Sequence, residues 1–113
     1  MQINVLKFGG TSMADHQTWK QVLEIIGKYE HPVVVVSATA RTTRQLVEAG
    51  NLAAEGKLDQ ALEISAEIKE RQHNIVEDFL ADNPHPKNEL IRQSCLKNTD
   101  AKIGKLDKLL SYT

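Results

Sequence analysis

The sequence is poor in the residues that would commit it to nucleic acid, a membrane or an oxidising compartment. Only 4% of its residues are aromatic, and 14 basic side chains set against 15 acidic ones leave a formal net charge of -1. A stacking platform and a basic stripe are both missing, which argues against a nucleic-acid partner. The longest uninterrupted apolar stretch, Val33 to Val36, is far short of the roughly 18 residues that a membrane-spanning helix needs. No membrane partner is expected. Cys95 is the single cysteine, so no internal disulfide can form, in keeping with a reducing compartment. It falls in a helical stretch and reads as a small apolar filler rather than a nucleophile. His16, His31, His73 and His85 are scattered, without a second ligand at metal-binding spacing, and no metal site is read from them. From Met1 to Phe8 there is no basic region, long apolar core or cleavage site, so the expectation is no export signal and a cytoplasmic location.

What is present describes one ordinary domain: 113 residues, 41% hydrophobic and 26% charged. Ile3-Asn4-Val5-Leu6-Lys7-Phe8 is short, rich in strand formers and halted by Gly9-Gly10, which predicts a strand entering a tight loop. Trp19, Val22, Leu23, Ile26 and Tyr29 then recur at helical spacing, with Asp15 or Ser12 as the cap. Asp15 is read first as that cap and only second as a magnesium ligand. Pro32 opens Val33-Val34-Val35-Val36, an apolar run without alternation, as in strands buried on both faces. Strand, helix and strand predict a parallel βαβ unit with a right-handed crossover.

A polar stretch, Ser37 to Thr43, follows the second strand and leads into a helical run from Leu46 to Leu52. Beyond Gly56 the apolar positions Leu58, Ala61, Leu62, Ser65, Ile68, Ile75, Val76 and Phe79 predict one long helix that stops before Asn83-Pro84. Two further helices are expected. One contains Leu90, Ile91 and Cys95, and the other contains Ile103, Leu106, Leu109 and Leu110, capped by Asp100. Glu67, Lys69, Glu70 and Arg71 read as a solvated charged stripe. The expected organisation is a βαβ unit over 1–55 and a helical layer over 56–113. Two strands are too few for an independently stable sheet, so the α/β domain is expected to be incomplete.

Both loops after the strands open on the carboxyl edge of the sheet, where open parallel sheets collect ligands. Lys7-Phe8-Gly9-Gly10-Thr11-Ser12 places a lysine at the end of a strand, two glycines in the turn and two hydroxyls before a helix. Bare glycine backbone, successive amides near a helix start and a point charge suit an anion such as phosphate. The dinucleotide fingerprint and the Walker A spacing are both absent. The plainer reading is a Gly-Gly turn beside a surface lysine, and physics alone leaves the two open.

The segment KFGGTS, Lys7 to Ser12, closely resembles the opening signature of aspartate kinases in the amino-acid kinase family. Val34 to Leu46, VVVSATARTTRQL, is similar to that family's second strand and the loop after it. The resemblance implies an α/β fold: the N-terminal part of an amino-acid-kinase-like parallel-sheet sandwich. It implies a kinase that moves the γ-phosphoryl of ATP, with Mg2+, to the side-chain carboxylate of L-aspartate, the first step toward lysine, threonine and methionine. Lys7 would then be catalytic; Lys7, Gly9, Gly10, Thr11 and Ser12 would hold nucleotide phosphate; Ser37 and Thr43 would hold aspartate. A homo-oligomer is expected. The chain departs from the family's pattern at Arg41, where glycine or lysine is common, and at Arg44, where asparagine is usual. Thr39 is an alternative hydroxyl to Ser37, Thr43 doubles as a helix cap, and Arg41 reads as a solvated surface group. The family's acidic Gly-Glu motif and nucleotide pocket are not found, so this chain alone is expected to be inactive. Two other readings stay open: a noncatalytic interaction module, and a small-molecule kinase of the same fold acting on a different acid.

Overall fold

The computed structural model describes Met1–Tyr112. In chain order the elements are β1 (Asn4–Phe8), α1 (His16–Ile26), β2 (Pro32–Val36), α2 (Thr42–Ala54), α3 (Leu58–Asp82) and α4 (Asn88–Ser111). The fold is α/β, and the chain divides into two compact units, Met1–Arg41 and Thr42–Thr113.

The first unit is the βαβ unit. β1 and β2 pair in parallel, with Asn4 opposite Pro32, Leu6 opposite Val34 and Phe8 opposite Val36. Along β1 the exposure alternates: Val5 and Lys7 are exposed on one face, while Leu6 is half-buried and Phe8 buried on the other. α1 starts where the sequence placed it. Asp15 accepts from the Thr18 amide at 2.9 Å, and the Thr18 hydroxyl accepts from the Asp15 amide at 3.1 Å, forming a reciprocal capping box. β2 differs from expectation, because Val33, Val34, Val35 and Val36 are 39–53% exposed rather than covered on both faces. A two-stranded sheet supplies one neighbour along the hydrogen-bonding direction and too few layers to enclose its faces.

The second unit is a bundle of three helices. Ala49 and Ala53 of α2 meet Ala61, Ile64 and Ile68 of α3 and Leu110 of α4 in one buried cluster. Small side chains on the facing stripes let the helix backbones approach closely. This is why α2 belongs with the later helices and the division falls after Arg41, ahead of the expected Gly56. Gly56, at φ 80, ends α2 in the left-handed conformation. The Lys57 amide donates to the Leu52 carbonyl at 2.8 Å and that of Gly56 to Ala53 at 3.0 Å, the paired bonds of a Schellman cap.

Only one helix follows Asn83-Pro84, where two were expected. Lys97 to Asp100 continues α4 because no proline interrupts it and because its polar groups find partners. The Thr99 hydroxyl donates to the Cys95 carbonyl at 2.9 Å, one turn back. Asp100 caps nothing; its carboxylate meets His73 Nε2 at 2.7 Å and Lys69 Nζ at 3.8 Å across on α3. The charged stripe of α3 likewise does more than face solvent. Glu67 accepts from Gln45 of α2 at 3.2 Å, and Arg71 donates to the Thr42 hydroxyl at 2.9 Å. Ser65, 1% exposed on the apolar face of α3, donates to the Asp107 carboxylate of α4. Among the described residues no helix is long and apolar enough to cross a membrane.

Candidate functional site

Parallel pairing sets the two loops side by side. The ladder runs one step past β2, where the Ser37 amide donates to the Phe8 carbonyl at 3.1 Å, so Ser37 sits beside the start of the Gly9-Gly10 loop. A Cβ built on Gly10 would lie 3.8 Å from Ser37 Oγ. Thus two hydroxyl-bearing loops, one proposed for phosphate and one for substrate, meet at the carboxyl edge of the sheet. Ser37 Oγ donates to the adjacent Ala38 carbonyl at 3.1 Å and remains exposed, whereas Thr39 is buried. Of those two hydroxyls, Ser37 is the accessible one.

The first loop is held from behind. The Gly10 carbonyl accepts from the Met13 amide at 3.1 Å, closing a turn around Thr11 and Ser12, and the Trp19 indole donates to the Met13 carbonyl at 3.2 Å. Neither Gly9 nor Gly10 takes a positive φ, so no left-handed turn requires glycine here. Gly9 has open space where a Cβ would be, and Gly10 has ordinary van der Waals room. The effect of the pair is therefore an uncovered backbone. The start of α1 contributes less than expected, since its Thr18 amide is already taken by the Asp15 carboxylate. The Lys7 ammonium, carried by the strand that leads into this loop, makes no hydrogen bond among the described residues. Lys7 is exposed on β1 opposite Val35 and forms no ion pair among the described residues.

Thr43 lies elsewhere in the organisation of the chain. It is the second residue of α2, exposed and in the three-helix unit, while Lys7 through Ser12 and Ser37 belong to the βαβ unit. It is not the residue that opens the helix; Thr42 is. Among the described residues no group of three histidine, cysteine or carboxylate side chains is placed to hold a metal ion.

The profile of the amino acid kinase family matches residues 2–111. The chain belongs to that family. It is 37% identical over 82 residues to aspartokinase 1, chloroplastic, of Arabidopsis thaliana, a match covering 69% of this chain and 14% of the relative. Aspartokinase 3, chloroplastic, of the same plant is 47% identical over 51 residues, 43% of this chain and 9% of the relative. Aspartokinase 2, chloroplastic, is 41% identical over an equal span. The chain therefore covers about a seventh or less of the length of these relatives.

One position gains meaning against the amino acid kinase pattern. Arg41, at φ 69, is the one non-glycine residue with positive φ among the described residues, and it directly precedes α2. The left-handed conformation costs a side-chain-bearing residue about 1–2 kcal/mol, and glycine escapes that cost while losing about 0.4–1 kcal/mol through a freer unfolded chain. Sequence reading saw Arg41 as a departure from a glycine or lysine and as a solvated surface group; the backbone supplies the reason a glycine suits the position. Arg41→Gly is expected to unfold at the same or a slightly higher temperature than the parent chain. Arg41→Val, which brings a β-branched residue into the same conformation, should unfold at a lower one, and a thermal melt of both followed by circular dichroism checks the order.

Proposed function

We propose that this chain supplies the phosphate-and-aspartate edge of an aspartate kinase, which transfers the γ-phosphoryl of ATP to the side-chain carboxylate of L-aspartate. The observation carrying this reading is the approach of Gly10 to Ser37 Oγ, with a KFGGTS segment on one side and VVVSATARTTRQL on the other. Similarity to three plant aspartokinases supports the same choice of substrate.

The chemistry asks little of a general base. An aspartate side chain with a reference pKa near 3.9 is ionised at neutral pH and is already the nucleophile. Repulsion is the larger obstacle. Two unit negative charges about 4 Å apart repel by about 4 kcal/mol at an effective dielectric of ~20, and the γ-phosphate carries more than one. Lys7 and the Gly9-Gly10 amides offset that repulsion as charge shifts toward the leaving oxygen, while Thr11 and Ser12 orient phosphate oxygens. Ser37 and Thr43 position the amino acid. Magnesium is expected to arrive with the nucleotide phosphates, and no step is assigned to it on these residues.

A chimera in which residues 1–113 replace the matching segment of Arabidopsis aspartokinase 1 places these groups in a full-length enzyme. Titration calorimetry with L-aspartate and with a magnesium nucleotide tests the reading there: both should bind the chimera, and a folded chimera that binds neither would defeat it. In the same chimera Thr43→Ala is expected to raise the KM for aspartate by about 2- to 12-fold, the worth of one ordinary hydrogen bond at about 0.5–1.5 kcal/mol. The KM for ATP should change less. If both constants rise together and the melting temperature falls, Thr43 serves only the first turn of α2.

A further inference from the structure

The three-helix unit contains a pocket of its own. α2 and α4 both lie against α3, and all three converge at one end on Ala49, Ala53, Ala61, Ile64 and Leu110. Toward the other end the three helices line a pocket of about 400 Å³. That volume lies within the range of small-molecule sites.

The lining is graded along its length. Each helix contributes an apolar residue nearer the converging end, namely Leu46 from α2, Ile68 from α3, and Ile103 and Leu106 from α4. One helical turn further out the same helices present Thr42, Gln72, Asn98 and Thr99. Ile68, 4% exposed, forms the floor, and the surface turned into the pocket is almost wholly apolar even where polar residues line it. Lys102 lines the same pocket and makes no ion pair among the described residues. No carboxylate lines it.

We propose that this pocket binds an amphipathic monocarboxylate, such as a medium-chain fatty acid, with its apolar tail against Leu46, Ile68, Ile103 and Leu106. The carboxylate sits at the mouth, paired with Lys102. Apolar burial provides most of the affinity. The Lys102 ammonium and the absence of a lining carboxylate provide the preference for an anionic head over a neutral or cationic one.

Octanoate, octan-1-ol and octylammonium share one tail and differ in the head, so titrating each into this chain separates the two contributions. Octanoate is expected to bind at least about tenfold more tightly than octylammonium, with octanol between them. Methyl shifts in the NMR spectrum should concentrate at Leu46, Ile68 and Ile103. Lys102→Glu, an exposed substitution that leaves the helical circular dichroism unchanged, should abolish or reverse the preference. Leu46→Trp, at the half-open wall, should weaken all three ligands. Absence of octanoate binding overturns the proposal. So does equal affinity for the three heads, retention of the preference in Lys102→Glu, or shifts confined to the exposed Val33–Val36 strand.

Discussion

Replacing Lys7 by alanine in the aspartokinase chimera is expected to lower kcat by about 10²- to 10³-fold while raising the KM for aspartate far less. Loss of one charge stabiliser aimed at the transition state typically costs about 2.7–4 kcal/mol, and an interaction made mainly with developing charge appears in kcat rather than in ground-state binding. The placement of Lys7 motivates the expectation: it is exposed at the carboxyl end of β1, has no ion-pair partner among the described residues, and precedes a loop of uncovered backbone. Lys7→Arg should recover only part of the loss, because a planar guanidinium does not reproduce a compact ammonium at the same point. Steady-state kinetics with each substrate varied in turn check both statements. A kcat within a few-fold of the parent would remove Lys7 from the reacting centre.

The 113-residue chain by itself is expected to associate and to show no measurable aspartate kinase turnover. Val33 to Val36 and Val5 from the sheet, Ile3 just ahead of it, and Leu23 and Ile25 from α1 are all more than a third exposed, which places a large apolar surface on a small βαβ unit. Patches of this kind drive association or mark surfaces that another protein layer covers. Parallel strands also keep free edges after pairing with each other, and these template further pairing. Light scattering coupled to size exclusion at micromolar concentration should report a dimer or larger species. Val33→Thr combined with Val35→Thr keeps the strand propensity, reduces the apolar face and should shift the population toward monomer. A phosphoryl-transfer assay on each peak should read background, since self-association hides surface without adding a nucleotide pocket. A monodisperse monomer would contradict the first half of the expectation, and turnover in any peak the second.

The parts of the fold legible in the sequence were those specified by local rules. Asp15 is one of two caps the sequence offers for α1, and the spacing from Leu58 to Phe79 marks its own helix. The parallel βαβ order followed from two short apolar runs bracketing an amphipathic stretch. Where expectation failed, the deciding interaction was between distant residues. Asp100 looked like a cap because the sequence around it is polar, but His73 and Lys69, about a quarter of the chain away, hold it inside a continuous α4. The grouping of α2 with α3 depends on alanines meeting across two helices, which neither helix announces alone. The four valines of β2 resemble a strand enclosed on both sides, and burial of that kind depends on layers that a two-stranded sheet does not have.

The candidate site divides in the same way. Lys7 and Gly9 to Ser12 form a contiguous motif, readable because lysine, glycines and hydroxyls follow one another, and Ser37 could be placed beside them once the strands were taken as parallel. The left-handed Arg41 could not be read from residue type, since only the path of the backbone into α2 requires it. The pocket lined by Lys102 was equally hidden, because it draws on three helices and no single segment carries its pattern.

The most direct test of the central claim is acyl-phosphate formation by the chimera bearing residues 1–113 in Arabidopsis aspartokinase 1, trapped with hydroxylamine and assayed with L-aspartate, L-glutamate, N-acetyl-L-glutamate and carbamate. The expected result is hydroxamate from L-aspartate, at a rate that falls about 10²- to 10³-fold on Lys7→Ala, with little from the other acids. A folded chimera that yields no hydroxamate, prefers another acid, or is indifferent to Lys7→Ala would contradict the assignment of these loops to phosphate and aspartate.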